Sequence, residues 1–210
     1  MTVGLASGPW GDPDRFGTYG AGVKGNWERS IGIYRTASTH VAHARSWLPR
    51  EQGGVLWYAA AQTITSVFVP YSMGVTAVLP AHAIGDPDHL DRASAYWAFR
   101  YVFNVAKFKF KYMYQDISAM QTALEEQSAA LVKNLDAHYT GTNLTKAYMD
   151  NANTVVSQWW TLPDTLIGKY ADGYNTPVYP DWWLEAVGYQ NGPPSPPPEP
   201  PAFLDRNKHL

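Results

Sequence analysis

The chain has 210 residues, of which 45% are hydrophobic and only 16% charged, a composition typical of a globular protein rather than a disordered one. Its net charge of −2 at pH 7 argues against a strongly basic, nucleic-acid-binding surface, so no nucleic-acid partner is expected. The sequence contains no cysteine, which excludes disulfides, thiolate metal sites and a thiol nucleophile within these residues.

The first 79 residues predict a loop followed by a β region. Residues 1–26 are rich in Gly, Pro and Asp and indicate irregular structure. Beyond them, alternating and β-branched runs predict antiparallel strands, with Pro70 ending the fourth because proline cannot donate to a ladder. The predicted strands cover residues 30–36, 39–45, 55–59, 63–69 and, as a possible fifth, 75–79.

From Leu90 onward the apolar residues recur at helical spacing. Asp86-Pro-Asp88 is a candidate helix-start signal, and Thr142 or Asn143 is a candidate cap for a later helix. Strands at 27–79 followed by long helices at 90–170 predict an α+β fold. The predicted helices run from about 90 to 104, from 112 to 139, from 142 or 143 to 160, and from 164 to 170, where Asp172-Gly173 ends the last one.

The C-terminal residues change in composition. Residues 177–189 hold Trp182 and Trp183 and are expected to dock as an aromatic clasp, whereas residues 190–201 are proline-rich and favour polyproline II. We therefore predict one domain over residues 1–189 and a tail over 190–210. An extended terminus is favoured over a ligand for a proline-binding module. No apolar run reaches roughly 18 residues, so neither a membrane-spanning helix nor a membrane partner is expected.

Eight phrases of the sequence occur together, in order, in a known family. They are GLASGPWGDPDRF (4–16), ERSIGIYRT (28–36), RSWLP (45–49), GGVLWY (53–58), TSVFVPYSMGVT (65–76), DRASAYWAFRYVFN (91–104), KYMYQDI (111–117) and PDWWLEAVGY (180–189). With them the chain resembles the C-terminal part of the cysteine-dependent dipeptidases, which are N-terminal-nucleophile hydrolases akin to the penicillin V acylases.

The resemblance implies two stacked antiparallel sheets covered by helices, and short peptides as substrates. No cofactor and no metal are expected. The resemblance also implies that the nucleophile is an N-terminal cysteine whose own amine is the base. Since this chain has no cysteine, we expect a C-terminal portion that is inactive alone and works with the missing N-terminal half of the same hydrolase. The alternative is a truncated, non-catalytic relative that acts as a binding or scaffold protein.

Arg35 is the candidate catalytic residue, in a supporting role. In related amidases an arginine near the nucleophile helps to organise the site, and the phrase YRT is a suitable position for it. In the predicted strand Arg35 comes after the apolar residues Ile31, Ile33 and Tyr34, so its guanidinium needs a partner. The competing interpretation is a strand-edge arginine paired with Glu28 or with a loop aspartate.

Other polar groups favour structural interpretations. His40 and His43 should point to opposite faces of a strand, which argues against a shared metal. A loop group of two histidines and two aspartates is the nearest approach to a metal site, but solvated loop residues are the favoured interpretation: His82, Asp86, Asp88 and His89. The three lysines at 107, 109 and 111 are expected to face solvent from a helix, with Phe108 and Phe110 packed inside.

Overall fold

The protein is described by a computed structural model covering residues 10–11, 32–138, 144–170 and 181–188. It divides into two compact units, residues 1–176 and 177–210. In the second unit the structure describes one helix, α7. The elements are β1 Ser38–Ala44, α1 Arg50–Gly53, β2 Gly54–Ala60, β3 Val69–Ser72, α2 Pro80–Ala83, α3 Ala95–Ala106, α4 Phe110–His138, α5 Leu144–Trp159, α6 Leu162–Tyr170 and α7 Asp181–Val187.

The three strands form one antiparallel sheet in the order β1-β2-β3. In the first pair Val41 lies opposite Trp57, and in the second pair Trp57 lies opposite Pro70. The strands predicted at residues 39–45 and 55–59 are confirmed. The fold is α+β, as predicted, with the long helices following the sheet.

The strand predicted at residues 30–36 is wrong over its described part. Residues 32–36 form a bend and a turn, in which the Thr36 amide donates to the Ile33 carbonyl at 2.8 Å. The Thr36 hydroxyl in turn accepts from the Ile33 amide at 3.0 Å. A threonine side chain that bonds to the backbone in this way competes with a strand ladder.

The strand predicted at residues 63–69 is shifted along the chain. Thr63–Thr65 is a 3₁₀ turn capped by the Gln62 side chain, and the strand is β3 at Val69–Ser72. Pro70 lies inside β3 rather than ending the strand before it. Just past β3, the Met73 amide donates to the Gly54 carbonyl at 2.9 Å. Because bonded and non-bonded pairs alternate in an antiparallel ladder, the odd-numbered residues of β3 are the ones that bond to β2. The nitrogen of Pro70 therefore points away from β2, where no donor is needed.

Two further predictions at the turns are wrong. Residues 75–79 form no strand. Asp86-Pro-Asp88 is a turn in which the Asp86 carboxylate accepts from the Asp88 amide at 2.8 Å, and the next long helix, α3, begins later, at Ala95. A short aspartate side chain that bonds to the backbone two residues on stabilises a turn without starting a helix.

The helices predicted from the apolar spacing beyond Leu90 are present in the structure as α3 to α6. Pro163 lies in the first turn of α6, where its missing amide costs nothing. Residues 107–109 form the turn between α3 and α4, so the predicted lysine-bearing helix is interrupted there. Phe110 is buried as expected, but Phe108 is 67% exposed. The expected caps at 142–143, the helix end at 172–173 and the proline-rich tail lie outside the described residues. Among the described helices, none is long and apolar enough to cross a membrane.

The core lies between the sheet and helices α3 to α6. β3 is buried along its whole length, and the rings of Phe99 and Trp159 join α3 to α5 with centroids 5.6 Å apart. Full burial of one such side chain stabilises the fold by about 1.5–3 kcal/mol. Representative core side chains are Val55, Ala59, Val69, Phe99, Val102, Met113, Ile117, Val155, Trp159 and Leu166.

A buried arginine connects the sheet to α4. Arg45, just after β1, is only 5% exposed, and its guanidinium donates to the Asp136 carboxylate and to the Gln52 carbonyl. The Gln52 side chain donates to the Leu135 carbonyl at 2.8 Å. The neighbouring Tyr148 is buried, which raises its pKa to about 12. The paired charges therefore hold the end of α4 against the sheet.

We expect Arg45→Met to lower the free energy of unfolding by about 3 kcal/mol, because it leaves the Asp136 carboxylate without its cation. Urea unfolding followed by circular dichroism measures the change. Arg50→Ala, at an exposed arginine of α1, is the control and should change stability by less than about 0.5 kcal/mol. The double variant Arg45→Met/Asp136→Leu should recover part of the loss. A single variant as stable as the wild type would show that the pair contributes nothing.

Candidate functional site

Two segments meet at one end of the sheet, and we call them together the strand-end site: residues 32–39, which lead into β1, and residues 61–66, which follow β2. The Ala61 amide donates to the Ala37 carbonyl at 2.8 Å. The Gln62 side-chain amide donates to the Gly32 carbonyl at 3.1 Å. These bonds fix the two segments to each other although about 30 residues separate them in sequence.

The turn after β2 begins with an uncommon backbone conformation. Ala61 has a φ of 59°, in the left-handed region that non-glycine residues rarely adopt, and it is completely buried. The side-chain oxygen of Gln62 accepts from the Ile64 amide at 2.7 Å and so caps the 3₁₀ turn. Strain of this kind costs on the order of 1 kcal/mol and persists only where surrounding contacts hold it.

Hydroxyl groups line this turn. Those of Thr39 and Thr63 are 2.5 Å apart, and the Ser66 hydroxyl donates to the Ala60 carbonyl at 2.7 Å. Thr65 is fully buried, and its hydroxyl has no hydrogen-bond partner within the described residues. A hydroxyl becomes a nucleophile only beside a base that takes its proton. Thr39 and Thr63 bond only to each other among the contacts described, so they can donate or accept hydrogen bonds but are not activated.

Arg35, the predicted supporting residue, lies at this site. It is exposed and belongs to the turn at residues 34–35, so the expectation of an arginine inside an apolar strand is wrong. Its guanidinium carbon lies 5.4 Å from the centroid of the Tyr34 ring. A turn gives the guanidinium access to solvent, so no buried partner is required. The catalytic role of Arg35 stays a prediction.

Two more cations surround Tyr34. The Arg100 guanidinium, from α3, donates to the Tyr34 carbonyl and so holds the turn against the helix. The Lys107 ammonium lies 5.7 Å from the Tyr34 ring centroid and 4.9 Å from that of Phe103. Arg35 and Lys107 thus face the Tyr34 ring while Arg100 bonds to its backbone, and this local positive charge favours carboxylates although the chain as a whole is acidic.

Helix α4 supplies two polar groups to the turn after β2, neither of which the sequence analysis singled out. Glu125 is half-buried and its carboxylate accepts from the Phe68 amide at 3.1 Å. Burial raises the pKa of Glu125. Four residues earlier, the Gln121 side chain donates to the Ser66 carbonyl at 2.5 Å. The spacing of four between Gln121 and Glu125 was the available signal, since it puts both on one helix face.

The histidines singled out in the sequence do not come together as one group. His40 and His43 lie three apart on β1, hence on opposite faces as predicted, and both are exposed. His89 bonds to the Asp86 carboxylate at 3.0 Å in an exposed turn. His82 instead bonds to the Tyr71 hydroxyl. Within the described residues no three histidine, aspartate or glutamate side chains are arranged to hold a metal ion.

Tyr71 and His82 form a titratable pair in which Tyr71 is buried and His82 is half-buried. The Tyr71 hydroxyl accepts from the Leu79 amide at 3.3 Å and lies 2.8 Å from His82 Nδ1. The hydroxyl and Nδ1 share one hydrogen, which either partner carries according to the histidine tautomer. Burial lowers the pKa of His82 to about 4 and raises that of Tyr71 to about 12. Both groups are neutral at pH 7.

A second polar feature lies between α4 and α5, where a groove of about 350 Å³ opens beside the buried Ser128–Asn151 hydrogen bond of 3.0 Å. Its walls carry one carboxylate, Asp150, which is paired with Lys146 at 2.5 Å. None of its lining residues belongs to the strand-end site. Its lining residues are Gln127, Leu131, Ala147, Asp150, Asn151 and Thr154.

The sequence matches the model of a known protein family. The model of peptidase family C69 matches residues 11–123, which is more than half of the chain. The chain therefore belongs to peptidase family C69, a hydrolase family of dipeptidases. The match covers the sheet, the strand-end site, α3 and the first half of α4, whereas the groove between α4 and α5 begins at Gln127, beyond it. No curated protein matches the sequence significantly.

The protonation of His82 gives a pH prediction. Because its folded pKa of about 4 is lower than its ordinary value of 6.5, the unfolded chain binds this proton first as the pH falls. The contribution of neutral His82 to the free energy of unfolding is fully present above pH 6.5, and up to about 3 kcal/mol of it is lost as the pH falls to 4. We expect His82→Asn, which keeps an acceptor for Tyr71, to flatten this part of the stability profile measured by urea unfolding.

His43→Asn, at an exposed histidine of β1, is the matched control and should keep the wild-type slope. Equal slopes for wild type and His82→Asn between pH 6.5 and 4 would show that His82 is not held neutral by the fold.

Proposed function

We propose that this chain supplies part of the scaffold of a thiol-dependent dipeptidase with an N-terminal-nucleophile fold, akin to the penicillin V acylases. We also propose that the 210 residues alone do not hydrolyse peptides. One observation carries both statements: a sequence that belongs to peptidase family C69 contains no cysteine. The substrate class is short peptides, and the partner is a polypeptide that bears the nucleophile.

The reaction explains why the thiol matters. The thiolate attacks the peptide carbonyl, and the amine of the same residue takes the thiol proton and passes it to the leaving amine. Water then hydrolyses the thioester and regenerates the thiol. Met1 cannot replace the cysteine, because a thioether has no proton to lose. Thr2, which removal of Met1 would expose, lies outside the described residues.

The strand-end site supports a binding and orienting role in this reaction. Arg35 is exposed beside Tyr34, and Arg100 holds the turn that carries both. A short peptide presents a carboxylate one or two residues from the bond to be cleaved, and a guanidinium binds such a group through charge-assisted hydrogen bonds. The strained turn at Ala61 and the bonds of Gln62 would keep this region rigid while the substrate binds.

The first test is an assay of dipeptide hydrolysis with the purified chain, for which we expect no turnover. Addition of a polypeptide that carries the N-terminal cysteine half of a family member should restore hydrolysis. The same polypeptide with its cysteine changed to alanine is the control and should restore nothing.

Two results would contradict the proposal. Turnover by the chain alone, lost in Thr2→Ala, would give these residues their own hydroxyl nucleophile. Failure of the thiol-bearing polypeptide to restore any activity to a well-folded chain would favour the non-catalytic binding or scaffold protein instead.

The second test concerns Arg35. Because Arg35 is exposed, we expect Arg35→Ala to change the free energy of unfolding by less than about 0.5 kcal/mol. In the reconstituted enzyme it should lower kcat/KM about 10- to 100-fold, the loss that corresponds to one charge-assisted hydrogen bond. Arg35→Lys should keep part of the activity, and Arg50→Ala should keep all of it. Unchanged kinetics in Arg35→Ala would remove this residue from the site.

A further inference from the structure

The outer edge of β1 is exposed in a way that the rest of the sheet is not. Six of the seven residues of β1 are exposed and the seventh is intermediate, whereas every residue of β3 is buried. Val41, at the centre of β1, is 52% exposed although it lies opposite Trp57 of β2. Both faces of this strand and one of its edges are therefore available to solvent.

The hydrogen bonds at the two ends of β1 reveal which backbone groups point outward. The Ala61 amide donates to the Ala37 carbonyl, and the Arg45 amide donates to the Gly53 carbonyl. In this register the odd-numbered residues of β1 bond to β2, since bonded and non-bonded pairs alternate in an antiparallel ladder. The even-numbered residues direct their amides and carbonyls away from β2: Ser38, His40, Ala42 and Ala44.

Among the described residues, β1 has β2 as its one ladder partner. The strand sequence STHVAHA also contains no lysine, proline, aspartate or glutamate. Those residues, and bulges, are the devices by which exposed strand edges normally avoid pairing. An uncharged row of seven residues with free backbone groups is a template for a further strand.

We propose that a second copy of this chain occupies the edge, with the two β1 strands antiparallel about a two-fold axis at Val41. His40 then pairs with Ala42 of the second copy, Ser38 pairs with Ala44, and each pair exchanges two backbone hydrogen bonds. The two three-stranded sheets become one continuous sheet. This goes beyond the proposed peptidase function.

The sequence of β1 favours a second copy because the strand is complementary to itself in this register. Val41 meets Val41 across the axis as a non-bonded pair, which covers the half-exposed apolar side chain with its own equivalent. Thr39 meets His43, and His40 meets Ala42, so no histidine lies directly opposite another. Like charges directly opposite one another would destabilise such pairing, and this register places no two ionisable side chains opposite each other.

The absence of cysteine makes a cross-linking test clean. In a non-bonded antiparallel pair the Cα atoms are about 4.5 Å apart, within the range that a disulfide spans. We expect Val41→Cys to form a disulfide-linked dimer under mild oxidation. His43→Cys is the control on the same face: its equivalent position in the second copy lies four residues along the strand, about 13 Å away, so it should cross-link at least 10-fold more slowly.

A second variant tests the backbone bonds. Ala42→Pro removes an outward amide and leaves the bonds to β2 intact, whereas Ala42→Ser keeps that amide. By sedimentation velocity over a dilution series, wild type and Ala42→Ser should show a concentration-dependent dimer and Ala42→Pro should remain monomeric. Circular dichroism shows whether each variant is folded.

Three results would overturn the proposal. One is a wild-type chain that remains monomeric at about 100 µM while Val41→Cys cross-links no faster than His43→Cys. Another is a dimer that persists in folded Ala42→Pro, because it would use another surface. The third is a monomeric chain whose Ala42→Pro variant can no longer be activated by the nucleophile-bearing polypeptide, which would assign the edge to that polypeptide. Neither the dimer nor its cross-link depends on peptidase activity, so the two proposals fail separately.

Discussion

Helix α4 is held against the sheet near both ends of the central strand, β2. This attachment positions the turn after β2 and the residues that follow β1. At one end the Arg45 guanidinium bonds to Asp136, and at the other end Gln121 and Glu125 bond to the turn that precedes β3. Fifteen residues of α-helix span about 22 Å. The seven residues of β2 span about 23 Å, so the lengths match. The strained turn and its hydroxyl groups are thus set by a helix that comes much later in the chain.

Much of the fold was predictable because long periodic segments carry a strong signal. The strand-like runs of β1 and β2 and the 3.6-residue spacing of α3 to α5 can both be read from the sequence alone. The errors arose where a side chain bonds to the backbone. Thr36 and Gln62 both favour turns by such bonds, although β-branched residues around them indicate strands.

The candidate site was harder to predict than the fold. Arg35 was singled out through its family resemblance, but its position in a turn depends on the Thr36 bond that the pattern did not reveal. Arg45, the arginine that is truly buried, has its carboxylate partner 91 residues away, and a single sequence contains no sign of that pairing. The distinction matters chemically, because Arg45 is occupied by structural contacts whereas Arg35 is open to a ligand.

The contrast between a buried β3 and an exposed β1 also implies a gradient of local stability across the sheet. Amide protons exchange with solvent through local openings, and a strand with few apolar neighbours opens at a lower free energy than the core. The β1 hairpin should therefore exchange its amides sooner than β3 does, while α3 and α5 stay closed around Trp159. We therefore expect the outer strand to open and close again while the helical core stays folded.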